Sequence, residues 1–267
     1  MYKNGASYNT INLARSAVAA YMNKSGESSM GKHPLVCRLL KGVFSNRPAL
    51  PKYLETWNVE DVLSHLSVWG PSKLLNLKEL SLRTVLLLML ASGQRCQTIH
   101  ALTVQDLIWE KDVCVVTYTS LLKQTKPGKH LKPLKLNKFI NDENVCVFEN
   151  LKEYQSRTEN IRSSKALFIS TIKPHNGVAI DTISGWIKSV LEMCGVDISV
   201  FSAHSVRSAA TSAAFSRDVP VDKILDLAGW SSQSTFKRFY CRSDRSSGDR
   251  CSQSVLDNFV IKSKEYS

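Results

Sequence analysis

From residue 8 to residue 70 the apolar positions recur at helical steps, with no strand-like alternation. Ile11, Ala14, Val18 and Tyr21 fall three or four residues apart and share one face of a predicted helix. A second helix is predicted over His33–Phe44, with Pro34 accommodated in its first turn. The run Asn46-Arg47-Pro48-Ala49-Leu50-Pro51 ends it, because each proline removes a backbone donor and restricts its neighbour. Asn58 is a plausible N-cap for a third helix through Val62, Leu63, Leu66 and Val68. The breaker cluster Trp69-Gly70-Pro71-Ser72 follows, and the pattern places a domain boundary there.

Beyond it the pattern changes. Leu77–Ser92 is apolar on more than one face, as a helix in the middle of a large core must be. Val113–Thr119 is rich in β-branched residues and reads as a strand. Lys126-Pro127-Gly128-Lys129 makes a turn, and Leu131–Leu136 returns as the partner strand. Further helices are predicted at Asn137–Thr158, Ile180–Cys194, Ser205–Arg217, Val221–Leu227 and Ser234–Tyr240, with a short strand at Ala166–Ser170. After a polar spacer a last helix covers Gln253–Ile261. The predicted class is mainly α with a small β-hairpin (α+β): a small all-helical module, residues 1–72, before a larger, mainly helical domain, residues 73–267.

Composition adds a partner class. With 267 residues and 43% apolar content the chain can bury a real core. Its 35 Lys and Arg against 23 Asp and Glu give a net charge of +12, which suits a polyanion whose condensed counterions are released on binding. The seven cysteines form no C-x-x-C pair, so neither a zinc site nor a disulfide framework is indicated, and reduced thiols inside a cell are the simplest account. The longest apolar stretch is too short to span a bilayer, and the amino terminus carries no secretory pattern. The chain reads as a soluble, intracellular, basic protein without membrane association.

The reactive side chains concentrate between Phe201 and Arg242. His204 and Arg207, three residues apart, lie at the same end of a helix that starts at Ser205. A helix N-terminus beside a histidine and an arginine suits an anion. Taken alone, such a pair is equally a surface helix. The rest of the order changes that: Arg95 follows Ala91-Ser92-Gly93-Gln94, the hairpin bears Lys123, Lys126 and Lys129, and Gly229-Trp230-Ser231-Ser232 and Tyr240 come after Arg207.

The order Arg, Lys, His-x-x-Arg, Trp, Tyr resembles the catalytic set of the tyrosine recombinases, the phage integrase family, across roughly residues 77–245. The wording Gly93-Gln94-Arg95-Cys96-Gln97-Thr98-Ile99-His100, Leu122-Lys123-Gln124-Thr125-Lys126-Pro127-Gly128 and Ala228-Gly229-Trp230-Ser231-Ser232 is similar to eukaryotic members encoded by DIRS-type retrotransposons, Cryptons or genes derived from them. The resemblance implies the tyrosine recombinase catalytic fold behind a helical core-binding domain, here short for a complete one. It implies DNA cleavage and rejoining through a 3′-phosphotyrosyl intermediate, without metal or other cofactor. The implied catalytic residues are Arg95, Lys123, His204, Arg207, Trp230 and the nucleophile Tyr240, with Lys126 as the alternative lysine. Lys126, Lys129, Lys237, Arg238 and Arg242 would contact the DNA backbone. The implied partners are double-stranded DNA and further copies of the chain, as a tetramer on DNA exchanging the C-terminal segment and a monomer when free, acting in the nucleus.

Two points stay open at this level. Lys123 fits if the element is the lysine preceding Gln-Thr-Lys-Pro-Gly, and Lys126 fits if it is the hairpin turn itself. Thr98 stands where many bacterial members carry a glutamate that supports the arginine. The competing functions are a topoisomerase IB-like relaxase, which the short length disfavours, and a catalytically idle DNA-binding protein derived from a recombinase.

Overall fold

The computed structural model describes residues 1–22, 30–48, 55–123, 125, 127–128, 130–230, 232–234 and 236. The chain divides into two compact units, Met1–Lys52 and Tyr53–Ser267. In the first, helices α1 (Tyr8–Met22) and α2 (Pro34–Asn46) pack around a 3₁₀ turn at Met30–Lys32. Gly31 is required there, since a Cβ would stand 2.9 Å from that of Ala19. The Nδ1 of His33 caps α2 by accepting from the Leu35 N–H, and Pro34 occupies its first turn as predicted. Arg47 ends α2 by donating to the carbonyls of Tyr2 and Ala6.

The second unit is built around α4 (Leu77–Ser92). Asn76 and Glu79 form a reciprocal capping box at its start, and Gly93 closes it in the left-handed region at φ 57°. Every residue from Leu80 to Met89 is buried. The cover comes from α5 (Cys96–His100), α6 (Val147–Glu159), α7 (Ile180–Met193) and α8 (Ser205–Ser216). Each supplies an apolar stripe, such as Ile183, Ile187, Val190 and Leu191 of α7. Helix α3 (Val59–Val68), capped by Asn58 as predicted, contributes Val59, Val62 and Leu66 to the same core. The predicted boundary at Trp69–Ser72 therefore falls inside the larger unit. The breaker residues there turn the chain from α3 into α4 rather than separating two cores.

A buried polar network explains that placement. The Nε of Arg83 donates to Asn150 Oδ1 at 2.8 Å, and its Nη1 donates to Gly70 O at 2.6 Å. Asn150 in turn donates to the carbonyls of Asn144 and Cys146, while Asn144 donates to Ser67 O and Ser67 to Asp142. One guanidinium thus fastens the end of α3 and the start of α6 to α4. Burial lowers the Arg83 guanidinium to about 10, with Asp142 and Glu79 pulling the other way.

Three antiparallel strands, β1 (Leu107–Trp109), β2 (Val113–Val116) and β3 (Leu134–Asn137), stand in sequential order. The register pairs Leu107 with Val116, and Val116 with Leu134. The hairpin β2–β3 was predicted; β1 was not, because three residues carry too little alternation to register. β2 stops at Val116 rather than Thr119, since Thr117 and Thr119 turn to hydrogen-bond Asp106. The helix predicted over Asn137–Thr158 starts only at Val147. Lys138 still pairs with Asp112, and Asp142 caps a 3₁₀ turn at Glu143–Val145. Ala166–Ser170 is extended, but it forms single bridges from Ala166 to Thr103 and from Ile169 to Gly177 instead of a strand.

Helix α9 (Val221–Ala228) reaches this core only at its edge, through Leu227 and its packing on α8. Ile224 and Ala228 gather with Trp230 and Phe236 into a second, small apolar cluster. Most of the helix predicted at Ser234–Tyr240, and all of that at Gln253–Ile261, lies outside the described residues.

Asp106 holds the root of the arm that leaves the sheet after β2. Its carboxylate accepts from the Thr103 N–H and hydroxyl at 2.7 and 2.8 Å, and from the Thr119 hydroxyl at 2.6 Å. Burial alone pushes this carboxyl upward, but the hydrogen bonds together outweigh it and hold the group below the usual range.

Two outcomes follow for stability. Arg83→Leu keeps apolar volume but strands Asn150 Oδ1 and Gly70 O, and is expected to cost about 3 kcal/mol in urea denaturation. Asp106→Asn places an amide donor against existing donors and is expected to cost about 1–3 kcal/mol at neutral pH. Because the folded carboxyl is depressed, its contribution is complete above about 3.9, the value for an unfolded aspartate, and the gap between the two proteins closes as pH falls below that.

Candidate functional site

The C-terminal end of α9 is where two of the predicted residues, Arg207 and Trp230, meet. The last four carbonyls of a helix have no partner within it and must be satisfied from outside. Gly229 at φ 67° folds the chain back, so its own N–H donates to Asp226 O and that of Trp230 to Leu225 O at 2.8 Å. The remaining two are taken by side chains. The Nε2 of Gln94 donates to Leu227 O at 2.5 Å, and the Nη2 of Arg207 donates to Ala228 O at 2.6 Å. A guanidinium at this end of a helix also meets the negative pole of its dipole.

Arg207 comes from the first turn of α8, as predicted from the H-x-x-R spacing. Its guanidinium lies over the Trp230 ring, 4.4 Å from the centroid, a cation–π contact. The indole packs in turn on Phe236, 5.6 Å away. Trp230 thus packs between the arginine and Phe236. Arg207 is buried. His204 occupies the N-cap position of α8 and is exposed. The start of α8 is fixed from below, where the Trp57 indole N–H donates to the Ser205 hydroxyl at 3.0 Å.

Arg95 is the N-cap residue of α5, half-buried, immediately after the left-handed Gly93 and the buried Gln94. A Cβ at Gly93 would be 3.4 Å from Thr211 Cγ2, so this loop passes close against α8. The next residue, Cys96, has its thiol pushed up by burial, partly offset by a hydrogen bond to Ser184. It is a poor nucleophile despite its position.

Lys123 lies exposed on the arm between β2 and β3, and no hydrogen bond or ion pair joins it to the arginines or His204 among the described residues. The arm's attachment to α9 is made by Lys132, which the sequence did not single out: its ammonium is 2.5 Å from Asp226, both side chains being exposed. Tyr240, Lys126, Lys129, Lys237, Arg238 and Arg242 lie outside the described residues. Among the described residues, no three His, Cys, Asp or Glu side chains are grouped to hold a metal, and no helix is long and apolar enough to cross a membrane. Cys37, Cys96, Cys114, Cys146 and Cys194 are free thiols.

Sequence reasoning missed the role of Gln94 in this assembly and that of Asp106 at the root of the arm. Gln94 was legible only as a letter beside Arg95; its signal was an amide at the one turn where a buried helix has to end. Thr98, marked as a departure from relatives with glutamate, is buried and donates to Gln94 Oε1 at 3.4 Å.

Comparison with known proteins supports the architecture. The structure is similar to that of the XerH site-specific recombinase bound to palindromic difH substrate in a post-cleavage complex, with a TM-score of 0.63 and 15% identity over 88% of this chain. This chain spans 64% of that one's length. It is also similar to the Tn1549 transposon integrase in complex with transposon right end DNA, with a TM-score of 0.63 and 14% identity, covering 97% of this chain and 82% of that one. The XerA recombinase gives 0.54 and 13%, covering 96% and 83%. No curated protein matches in sequence. At these identities the likeness establishes the fold, a mostly helical tyrosine recombinase catalytic domain with a small antiparallel sheet. The family is fixed independently by the sequence: the model described as phage integrase family matches residues 53–246, a span that includes every predicted catalytic residue, and the chain belongs to that family.

Proposed function

We propose that the protein is a site-specific DNA recombinase that cuts and rejoins one strand at a time through a 3′-phosphotyrosyl intermediate on Tyr240. The observation that carries this reading is the stacking of Arg207 on Trp230 at the end of α9, with the loop of Arg95 bonded to the neighbouring carbonyl. Phosphoryl transfer is mostly positioning and stabilisation of charge on the nonbridging oxygens. Arg95 and Arg207 supply forked guanidinium groups for those oxygens. His204 at the start of α8 donates a hydrogen bond and assists proton transfer. The Tyr240 phenolate attacks phosphorus, and the bond to the 5′-oxygen breaks. Lys123, or alternatively Lys126, protonates the departing oxygen. Reversal of these steps with a second strand rejoins the DNA, and no metal or nucleotide enters.

On this reading the partner is double-stranded DNA, with Lys126, Lys129, Lys237, Arg238 and Arg242 on its phosphates. The protein assembles as a tetramer on DNA, is a monomer when free, and acts in a nucleus as the product of a DIRS-type or Crypton-derived mobile element or a domesticated copy. The first compact unit, Met1–Lys52, serves as a helical DNA-binding module. A second reading is a catalytically idle DNA-binding protein. It is favoured by the burial of Arg207, whose guanidinium is engaged by the protein itself.

A nicked duplex library of randomised sequence separates the two. Loss of the short 5′-hydroxyl fragment traps the cut state, so the proposed enzyme accumulates a covalent adduct, and Tyr240→Phe abolishes it. Salt-sensitive binding with no adduct on any duplex is the result expected of the idle protein. The same substrate assigns the proton donor. Replacing Lys123 by alanine is expected to slow cleavage about 10²–10⁴-fold. A sulfur in place of the bridging 5′-oxygen restores the rate, because a thiolate leaves without protonation. If Lys126→Ala shows this rescue and Lys123→Ala does not, the roles are exchanged.

A further inference from the structure

We propose that Gln94 is a positioning residue that ties the backbone of the Arg95 loop to the last turn of α9, setting the spacing between Arg95, Arg207 and Trp230. The inference rests on the recombinase reading for its consequence, but the linkage itself stands on geometry. Gln94 is fully buried, one residue after the left-handed Gly93 and one before Arg95. Its amide joins two elements. Nε2 donates to Leu227 O of α9, and Oε1 accepts from the Thr98 hydroxyl of α5. Its backbone N–H is held by the Ser92 hydroxyl at 3.3 Å, at the end of α4.

The adjacent carbonyl, Ala228 O, is the one held by Arg207. Consecutive carbonyls of one helical turn are therefore gripped from two directions, by the Arg95 loop and by α8. The same turn fixes Trp230, whose N–H donates to Leu225 O. All three residues are thereby referenced to a single turn of helix, whose Ala228 belongs to the small cluster and whose Leu227 packs against the main core. Without the amide, Leu227 O loses its buried donor, and α9 loses its fastening to the loop that carries Arg95. The hydroxyl of Thr98 orients the amide: with Oε1 committed to that donor, Nε2 faces α9. This is a different solution from a carboxylate at the Thr98 position, because the support reaches α9 rather than the arginine.

The test uses the full chain labelled with 5-fluorotryptophan, which gives one ¹⁹F line for each of its five tryptophans, the Trp230 line being assigned from Trp230→Phe. Gln94→Met, close in volume but without donor or acceptor, is expected to shift or broaden the Trp230 line while those of Trp109 and Trp186 stay in place. On a cleavable nicked duplex the same variant is expected to form the covalent adduct roughly 10- to 100-fold more slowly, with DNA affinity unchanged. Thr98→Val, a milder change, is expected to do the same to a smaller extent, and carries the test if Gln94→Met does not fold. An unmoved Trp230 line in a folded variant overturns the proposal. So does a moved line with a wild-type cleavage rate, or a loss traced wholly to DNA affinity. If the parent protein forms no adduct at all, the recombinase reading fails, and the ¹⁹F measurement still decides the linkage.

Discussion

A helix apolar on nearly every side has to be enclosed, and α4 imposes that on the rest of the larger unit. Ten consecutive residues, Leu80–Met89, are out of solvent, so neighbours must approach from all directions. Helices α5, α6, α7 and α8 do so, and α3 joins through the Arg83 network. The ends of α4 are then the only places where the chain can leave. The capping box of Asn76 and Glu79 marks one, and Gly93 with its left-handed backbone marks the other. It is at this second exit that Gln94 and Arg95 are delivered toward α8 and α9. The placement of Arg95 thus follows from where a buried helix must stop.

Patterns that depend on one helix and its caps were legible in the sequence. The N-cap at Asn58, the bounds of α4 and the extent of α7, α8 and α9 follow from local spacing and residue type. Features that depend on distant partners were not. The boundary at Trp69–Ser72 looked sound because glycine and proline break helices wherever they stand. Arg83, reaching Gly70 O from another helix, and the burial of Val62 and Leu66 in one cluster with the residues of α4 show that this break lies within one core. Asn137–Thr158 looked helical because its leading residues tolerate a helix, but pairing with Asp112 and the cap at Asp142 redirect them.

The site was legible as an order of residue types and illegible as a set of contacts. Arg207 and Trp230 were named together, and they do stack. Their mutual geometry depends on the free carbonyls of α9, which no spacing rule reveals. The same holds for Lys132 and Asp226, whose ion pair joins the arm to α9 across 94 residues of sequence. Such a pair, exposed on both sides, contributes little to stability and weakens with salt. Asp106 is the opposite case. Enclosed and hydrogen-bonded on both oxygens, it makes the base of the arm rigid whatever the ionic strength.

The small cluster of Ile224, Ala228, Trp230 and Phe236 has a further consequence. Cooperative unfolding is bounded by how much apolar surface a segment shares with its surroundings. Leu227 packs against the main core, but the cluster's own four residues do not belong to it, and much of the remaining attachment is polar. Helix α9, held through Leu227, Ala214 of α8 and two side-chain hydrogen bonds, is therefore expected to open at a lower free energy than the scaffold around α4. Such an opening would part Trp230 from Arg207, which stays on the scaffold with Arg95 and His204.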